Sequence, residues 1–144
     1  MLFMGEYNHT LDAKSRLIIP AKFRENLGEE FVITKGMDGC LFAYTAEDWE
    51  IFAGKLRELP MMDKESRQFV RFFLAGASLA QIDKTGRILL PQPLKEFADI
   101  TKDVVLVGVG SRVEIWSKAR WDGTVSYQDM DDIAKHMIEL GIGI

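Results

Sequence analysis

Two short stretches of the chain carry an acid and a guanidinium in the same arrangement. Leu11-Asp-Ala-Lys-Ser-Arg-Leu-Ile-Ile-Pro20 returns 71 residues later as Ile82-Asp-Lys-Thr-Gly-Arg-Ile-Leu-Leu-Pro91. Asp12 aligns with Asp83, Arg16 with Arg87 and Pro20 with Pro91, with aliphatic residues at the same places between them. Self-similarity of this kind marks an internal duplication. An Asp in a tight turn accepts hydrogen bonds from nearby backbone N–H groups. A guanidinium offers a planar fork of donors that matches a phosphate or a guanine edge. In each Asp-x-x-x-Arg the acid can pair with the Arg of its own copy or of the other one. A loop stiffened in this way would turn Lys14, Arg16, Lys84 and Arg87 outward, available to nucleic acid. The pairs could equally do no more than staple the two copies together, with Lys14 and Lys84 merely solvated.

Other chemistry finds little support. His9 and His136 lie far apart in the sequence and in different contexts, so no metal site is expected. Cys40 sits in an apolar stretch and reads as core rather than as a nucleophile. Gly108-Val-Gly110 lacks the third glycine and the following helix of a dinucleotide loop. Asp129, Asp131 and Asp132 lack the glycine and terminal Glu of a calcium loop and suit a helix N-terminus. The expectation is of no catalytic group, no cofactor, no metal and no small-molecule substrate.

The composition, 47% hydrophobic and 28% charged over 144 residues, suits a soluble protein able to bury a core. One cysteine excludes an internal disulfide framework and fits a reducing compartment. Met1-Leu-Phe-Met-Gly-Glu6 has neither a basic segment nor a sustained apolar run, so no export signal is expected, and no stretch is apolar enough to cross a bilayer. A cytoplasmic location follows as an expectation. The net charge of −4 argues against nucleic-acid binding by bulk charge, but its distribution is uneven. From Thr10 to Arg24, four cations stand against Asp12, a local +3; from Asp122 to Ile144 the balance is −4.

The elements that must position the paired motifs can be read in order. Residues 5–11 and 16–19 predict two strands around the Asp-Ala-Lys-Ser turn, with Leu17-Ile18-Ile19 as a buried run. Pro20 opens a short helix, Ala21 to Leu27, and Gly28 ends it in a left-handed conformation. Residues 31–35 and 40–44 form a hairpin around Gly36–Gly39. Thr45 caps a helix whose Trp49, Phe52, Leu56 and Leu59 share one face, and a second helix, 63–74, turns Phe69, Phe72 and Phe73 inward. The order then repeats: strand 77–82, turn, strand 87–90, short helix from Pro91, hairpin 103–116 around Gly110-Ser111, and a helix capped by Ser117. That helix carries Trp121, 72 residues after Trp49. Residues 127–140 read as an acidic amphipathic helix, followed by a fraying end.

The doubled motif, the intervening hairpins and the Trp-bearing helices together resemble the MraZ family, bacterial transcriptional regulators related to the AbrB and MazE swapped-hairpin DNA-binding folds. The resemblance covers residues 1 to about 125; the acidic tail shows no family signature. It implies an α+β protein in which two tandem swapped-hairpin units share one β-barrel with helices packed around it. It also implies closed rings, octameric or larger, bound to short direct repeats upstream of the division and cell wall gene cluster. Asp12, Arg16, Asp83 and Arg87 match the two family signatures. One departure stands out: the residue before the Arg is Gly86 in the second copy but Ser15 in the first. If that position needs a positive φ, Ser15 carries strain that Gly86 avoids.

The resulting expectation is a sequence-specific DNA-binding regulator, a repressor, acting in the cytoplasm at the nucleoid on double-stranded DNA. Lys14 and Arg16 are the first candidates for DNA contact, followed by Arg87 and Lys84. Lys22 and Arg24 would touch the flanking backbone, and Asp12 and Asp83 would orient the arginines. The division expected is 1–62 for the first unit, 63–76 for a helical connector, 77–126 for the second unit and 127–144 for the tail. A ring reconciles the acidic total with DNA binding, because linked weak contacts add steeply, and a head-to-tail ring suits direct repeats. The rival is an antitoxin-like interaction module without specific DNA binding, whose tail would fill a partner's groove with Met130, Ile133, Met137 and Leu140.

Overall fold

The computed structural model describes residues 2–124 and 127–143. The first half contains β1 (Phe3–Thr10), β2 (Arg16–Ile18), α1 (Ala21–Leu27), β3 (Glu30–Lys35), β4 (Leu41–Thr45), α2 (Ala46–Arg57) and α3 (Lys64–Ala75). The second contains β5 (Ser78–Gln81), β6 (Arg87–Leu89), α4 (Gln92–Ala98), β7 (Asp103–Gly110), β8 (Val113–Ser117), α5 (Lys118–Thr124) and α6 (Met130–Glu139). The fold is mixed α+β. The expected end of the second unit at residue 126, and Ile144 of the fraying end, lie outside the described residues.

The strands of the two halves are interleaved. One antiparallel sheet runs β1-β7-β8-β4-β3-β5, and β2 and β6 form a separate two-stranded ribbon. The order is its own mirror once each strand is exchanged for its counterpart: β1 for β5, β7 for β3, β8 for β4. Thus β1 pairs along its whole length with β7 of the other half, from Phe3↔Gly110 to Thr10↔Asp103, while β5 pairs with β3. The ribbon follows the same exchange, with Leu17↔Ile88 at its centre. Ile19 N–H donates to the Gly86 carbonyl, and Leu90 N–H to the Ser15 carbonyl, both at 2.9 Å.

Each face of the sheet buries its own cluster. The inner face places Phe31, Ile33, Leu41, Leu106 and Ile115 against Leu17 and Ile88 of the ribbon, Phe23 and Leu27 of α1, and Leu94 and Ala98 of α4. The outer face sets Phe42, Tyr44, Val105 and Trp116 against α2, α3 and α5 through Leu56, Phe73 and Trp121. Burying side chains of this size stabilises by about 1.5–3 kcal/mol each, so the ribbon is held by the main core and not by its six residues alone. The duplication persists in detail. Tyr44 packs on Trp49 at 5.8 Å between ring centroids and Trp116 on Trp121 at 5.5 Å. Thr45 Oγ1 accepts from Asp48 N–H, and Ser117 Oγ from Arg120 N–H.

Several local expectations are corrected. Leu17 and Ile19 are buried, but Ile18 is 43% exposed, because alternate residues of a strand point to opposite faces and only one face of β2 meets the core. Phe73 is buried in the outer cluster, whereas Phe69 is 44% exposed and packs on Phe73 in a T-shaped pair, at 4.9 Å between ring centroids. Pro20 is the residue before α1, in an extended conformation, and not in its first turn. Gly28 has the expected positive φ of 83° but an extended ψ of −176°; its counterpart Asp99 adopts the compact left-handed cap. No residue of α6 is buried, so the tail helix does not pack into either cluster.

Candidate nucleic-acid interface

Each motif folds into the same caged turn. In the first, Asp12 Oδ1 accepts from the N–H groups of Lys14 and Arg16, both at 2.9 Å, and Oδ2 accepts from Arg16 Nε at 2.7 Å. In the second, Asp83 Oδ1 accepts from the N–H groups of Thr85 and Arg87 at 2.9 Å, and Oδ2 from Arg87 Nε at 3.1 Å. Thr85 Oγ1 adds a further bond to Asp83 Oδ1. The spacing is dictated by this cage: three residues between Asp and Arg bring both the backbone N–H and the Nε of the Arg to one carboxylate. Backbone N–H donors favour the charged carboxylate. The bond from the Arg87 N–H, above all, holds the Asp83 carboxyl down to about 2, and that from the Arg16 N–H holds Asp12 below its ordinary range.

The two cages meet. Arg87 Nη1 also reaches Asp12 Oδ2 at 3.4 Å, so one carboxylate serves both arginines. Each loop is then braced by the helix of the opposite copy. Lys95 of α4 donates from Nζ to Ser15 Oγ at 2.7 Å. The guanidinium of Arg24, in α1, lies so close over Gly86 that a Cβ there would collide with Nη1. Ser15 has φ 61° and Gly86 φ 81°, so the position does need the left-handed region and Ser15 does carry its strain. Pairing within the copy and across the copies, left open above, both occur.

The arrangement gathers Asp12, Arg16, Asp83, Arg87 and Arg24 around the ribbon, with Lys14 and Lys84 exposed at the tips of the two turns. Lys22 stands apart, beside Leu2, Phe3 and Met4 at the far end of β1 from its turn. Lys95 is the member that sequence reasoning missed. Its signal was present, since it follows Arg24 by the same 71 residues that separate the two motifs. Arg16 keeps both Nη groups without an acceptor among the described residues, and Arg24 keeps its whole guanidinium so. Chemically, the ribbon and its turns offer a rigid cationic surface on an acidic protein.

Elsewhere the functional groups are structural. Burial, reinforced by Glu114 and Asp38, pushes the Cys40 thiol up to about 12, which keeps it protonated and unreactive at neutral pH. Among the described residues no cluster of His, Cys, Asp and Glu could hold a metal ion, and no helix is long and apolar enough to cross a membrane.

Comparison with known proteins matches the duplication unit by unit. The model of the family described as "MraZ protein, putative antitoxin-like" fits twice, over residues 2–72 and 73–140. The second match takes in most of the acidic tail, which corrects the expectation that the tail carries no family signature. The chain is 55% identical over 98% of its length to a protein of Lachnoclostridium phytofermentans, 99% of which is covered. It is 53% identical to one of Acetivibrio thermocellus and 55% identical to one of Clostridium beijerinckii, in each case over 98% of this chain and all of the relative. All three relatives bear the name transcriptional regulator MraZ. Two matches to the family's model, together spanning nearly the whole chain, and relatives more than half identical over almost all of it mean that this chain belongs to the MraZ family.

Proposed function

We propose that this protein is a DNA-binding transcriptional regulator that reads double-stranded DNA with the ribbon β2–β6 and its two caged turns. The observation that carries the reading is the convergence of Arg16 and Arg87 on one carboxylate, Asp12, with Lys14 and Lys84 exposed alongside. Asp12 and Asp83 orient the arginines and would themselves be repelled by phosphate. Arg24 and Lys95 supply charge at the flanks, whereas the position of Lys22 supports at most a backbone contact.

In this reading the protein acts as a repressor, in the cytoplasm at the nucleoid, on short direct repeats upstream of the division and cell wall gene cluster. A closed head-to-tail ring of copies, octameric or larger, presents the same ribbon to successive repeats. The units are 1–62 and 77–126, joined by 63–76. The names of the relatives support regulation of transcription. The test is a gel-shift titration on DNA from upstream of the protein's own gene, comparing wild type with Arg16→Ala at two salt concentrations, with the oligomer followed by light scattering. An intact assembly that loses about 1–3 kcal/mol of specific binding is expected. Unchanged binding would leave the turn a structural staple.

One observation favours a second activity. Met130, Ile133 and Ile138 of α6, and Leu140 at its end, are about half exposed or more, on an acidic segment unsuited to DNA. Interaction of the tail with another protein accounts for that, in addition to DNA binding.

A further inference from the structure

The outward face of the ribbon is not purely cationic. Leu17 and Ile88 pair at its centre and are 0% and 1% exposed, so the residues on either side of them point away from the core. Those residues are Arg16, Ile18, Arg87 and Leu89. In register, Arg16 lies opposite Leu89 and Ile18 opposite Arg87. Cations and aliphatics therefore alternate at the corners of one small patch. Ile18 is 43% exposed and Leu89 64%, and they are counterparts at the 71-residue spacing. The nearest acids, Asp12 and Asp83, are occupied by the arginines.

An aliphatic pair ringed by Arg16, Arg87, Lys14 and Lys84 fits a surface that is anionic at its rim and carries small apolar groups within. The major groove of DNA is such a surface. It admits a two-stranded antiparallel ribbon, and its only apolar base-edge group is the thymine C5 methyl. We infer that Ile18 and Leu89 contact thymine methyl groups next to the positions met by Arg16 and Arg87, and so make thymine a determinant of the site. This rests on the DNA-binding reading above. A second copy docked through the same patch is a poorer occupant, because the four cations would face their own kind across a symmetric contact.

The inference can be tested with full-length protein on DNA from upstream of its gene, in which every thymine is replaced by deoxyuridine. That change removes the methyls and leaves the hydrogen-bonding groups intact. Wild type should bind the uracil duplex more weakly, by roughly fourfold for each methyl contacted. Ile18→Ala and Leu89→Ala should each lose part of that discrimination, and the double variant should bind both duplexes alike. Circular dichroism and light scattering would establish that the variants remain folded and assembled. Equal binding of both duplexes by wild type would overturn the inference while leaving DNA binding in place. A double variant that still discriminates would also overturn it. So would one that falls to smaller assemblies with its discrimination intact, since the patch would then be a contact between copies. Failure of wild type to bind the thymine duplex at all would remove the DNA-binding reading and the inference with it.

Discussion

The two turns are built to one plan and braced by different means. In the first, the left-handed residue is Ser15, and the strain of a side chain at φ 61° is offset by the bond its hydroxyl accepts from Lys95. In the second, the residue is Gly86, which adopts φ 81° freely and, having no Cβ, lets the Arg24 guanidinium close over it. Each residue suits the cation that faces it: a hydroxyl accepts from an ammonium, and a bare Cα makes room for a planar fork. The copies have diverged as pairs, Ser15 with Lys95 and Gly86 with Arg24. The arginines have diverged as well. The Arg87 guanidinium is tied to both carboxylates, whereas that of Arg16 is tied to Asp12 through Nε alone. The first guanidinium is thus the freer of the two and the second the firmer brace.

The carboxylates give the largest expected effect. Asp12→Ala frees the Arg16 guanidinium and takes from Arg87 one of its two carboxylates, and should weaken DNA binding by about tenfold. Asp83→Ala leaves Arg87 its second partner and should cost only about threefold. Fluorescence anisotropy at one salt concentration separates the two, and equal losses would abolish the asymmetry between the turns. Next come the left-handed residues. Gly86→Ala forces a side chain into a positive φ and displaces Arg24, so urea denaturation should show a loss of about 1 kcal/mol. Ser15→Gly relieves strain but gives up the Lys95 bond, and should fall within about 0.5 kcal/mol of wild type. The reverse ranking would mean that the bracing has been assigned to the wrong turns.

The smallest effect is in pH. The carboxyl of Asp83 titrates at about 2 in the fold against an ordinary 3.8. A depressed value means that the stabilisation is complete above the ordinary pKa and is lost as the pH falls from there through about 2. A carboxyl-carbon NMR titration should therefore find Asp83 still ionised at pH 3. A midpoint near the ordinary value would show that the backbone donors do not hold it.

Much of this was legible because the duplication preserved spacing. Asp12, Arg16, Asp83 and Arg87 announced themselves by recurring at an interval of 71, and the swap of Gly86 for Ser15 flagged the positive φ before any coordinates. What escaped depended on which way side chains face. Leu17-Ile18-Ile19 reads as one apolar run, yet a strand meeting the core on one face must expose its middle member. Phe69 shows the same limit on a helix, since spacing alone does not reveal how much of an apolar face its neighbours cover. Lys95 is hidden for another reason: the sequence alone does not show that its counterpart Arg24 braces the opposite copy.

The exchange of strands between halves also governs how the protein comes into being. β1 leaves the ribosome well before its partner β7, which lies about a hundred residues further along the message. At ordinary translation speeds, β1 waits roughly 5–20 s for it. The ribbon likewise needs one strand from each half. A prematurely ended chain therefore carries half a ribbon and an unpaired strand, and lacks half of the surface proposed to meet DNA. The cell's dose of this regulator is counted in completed chains alone.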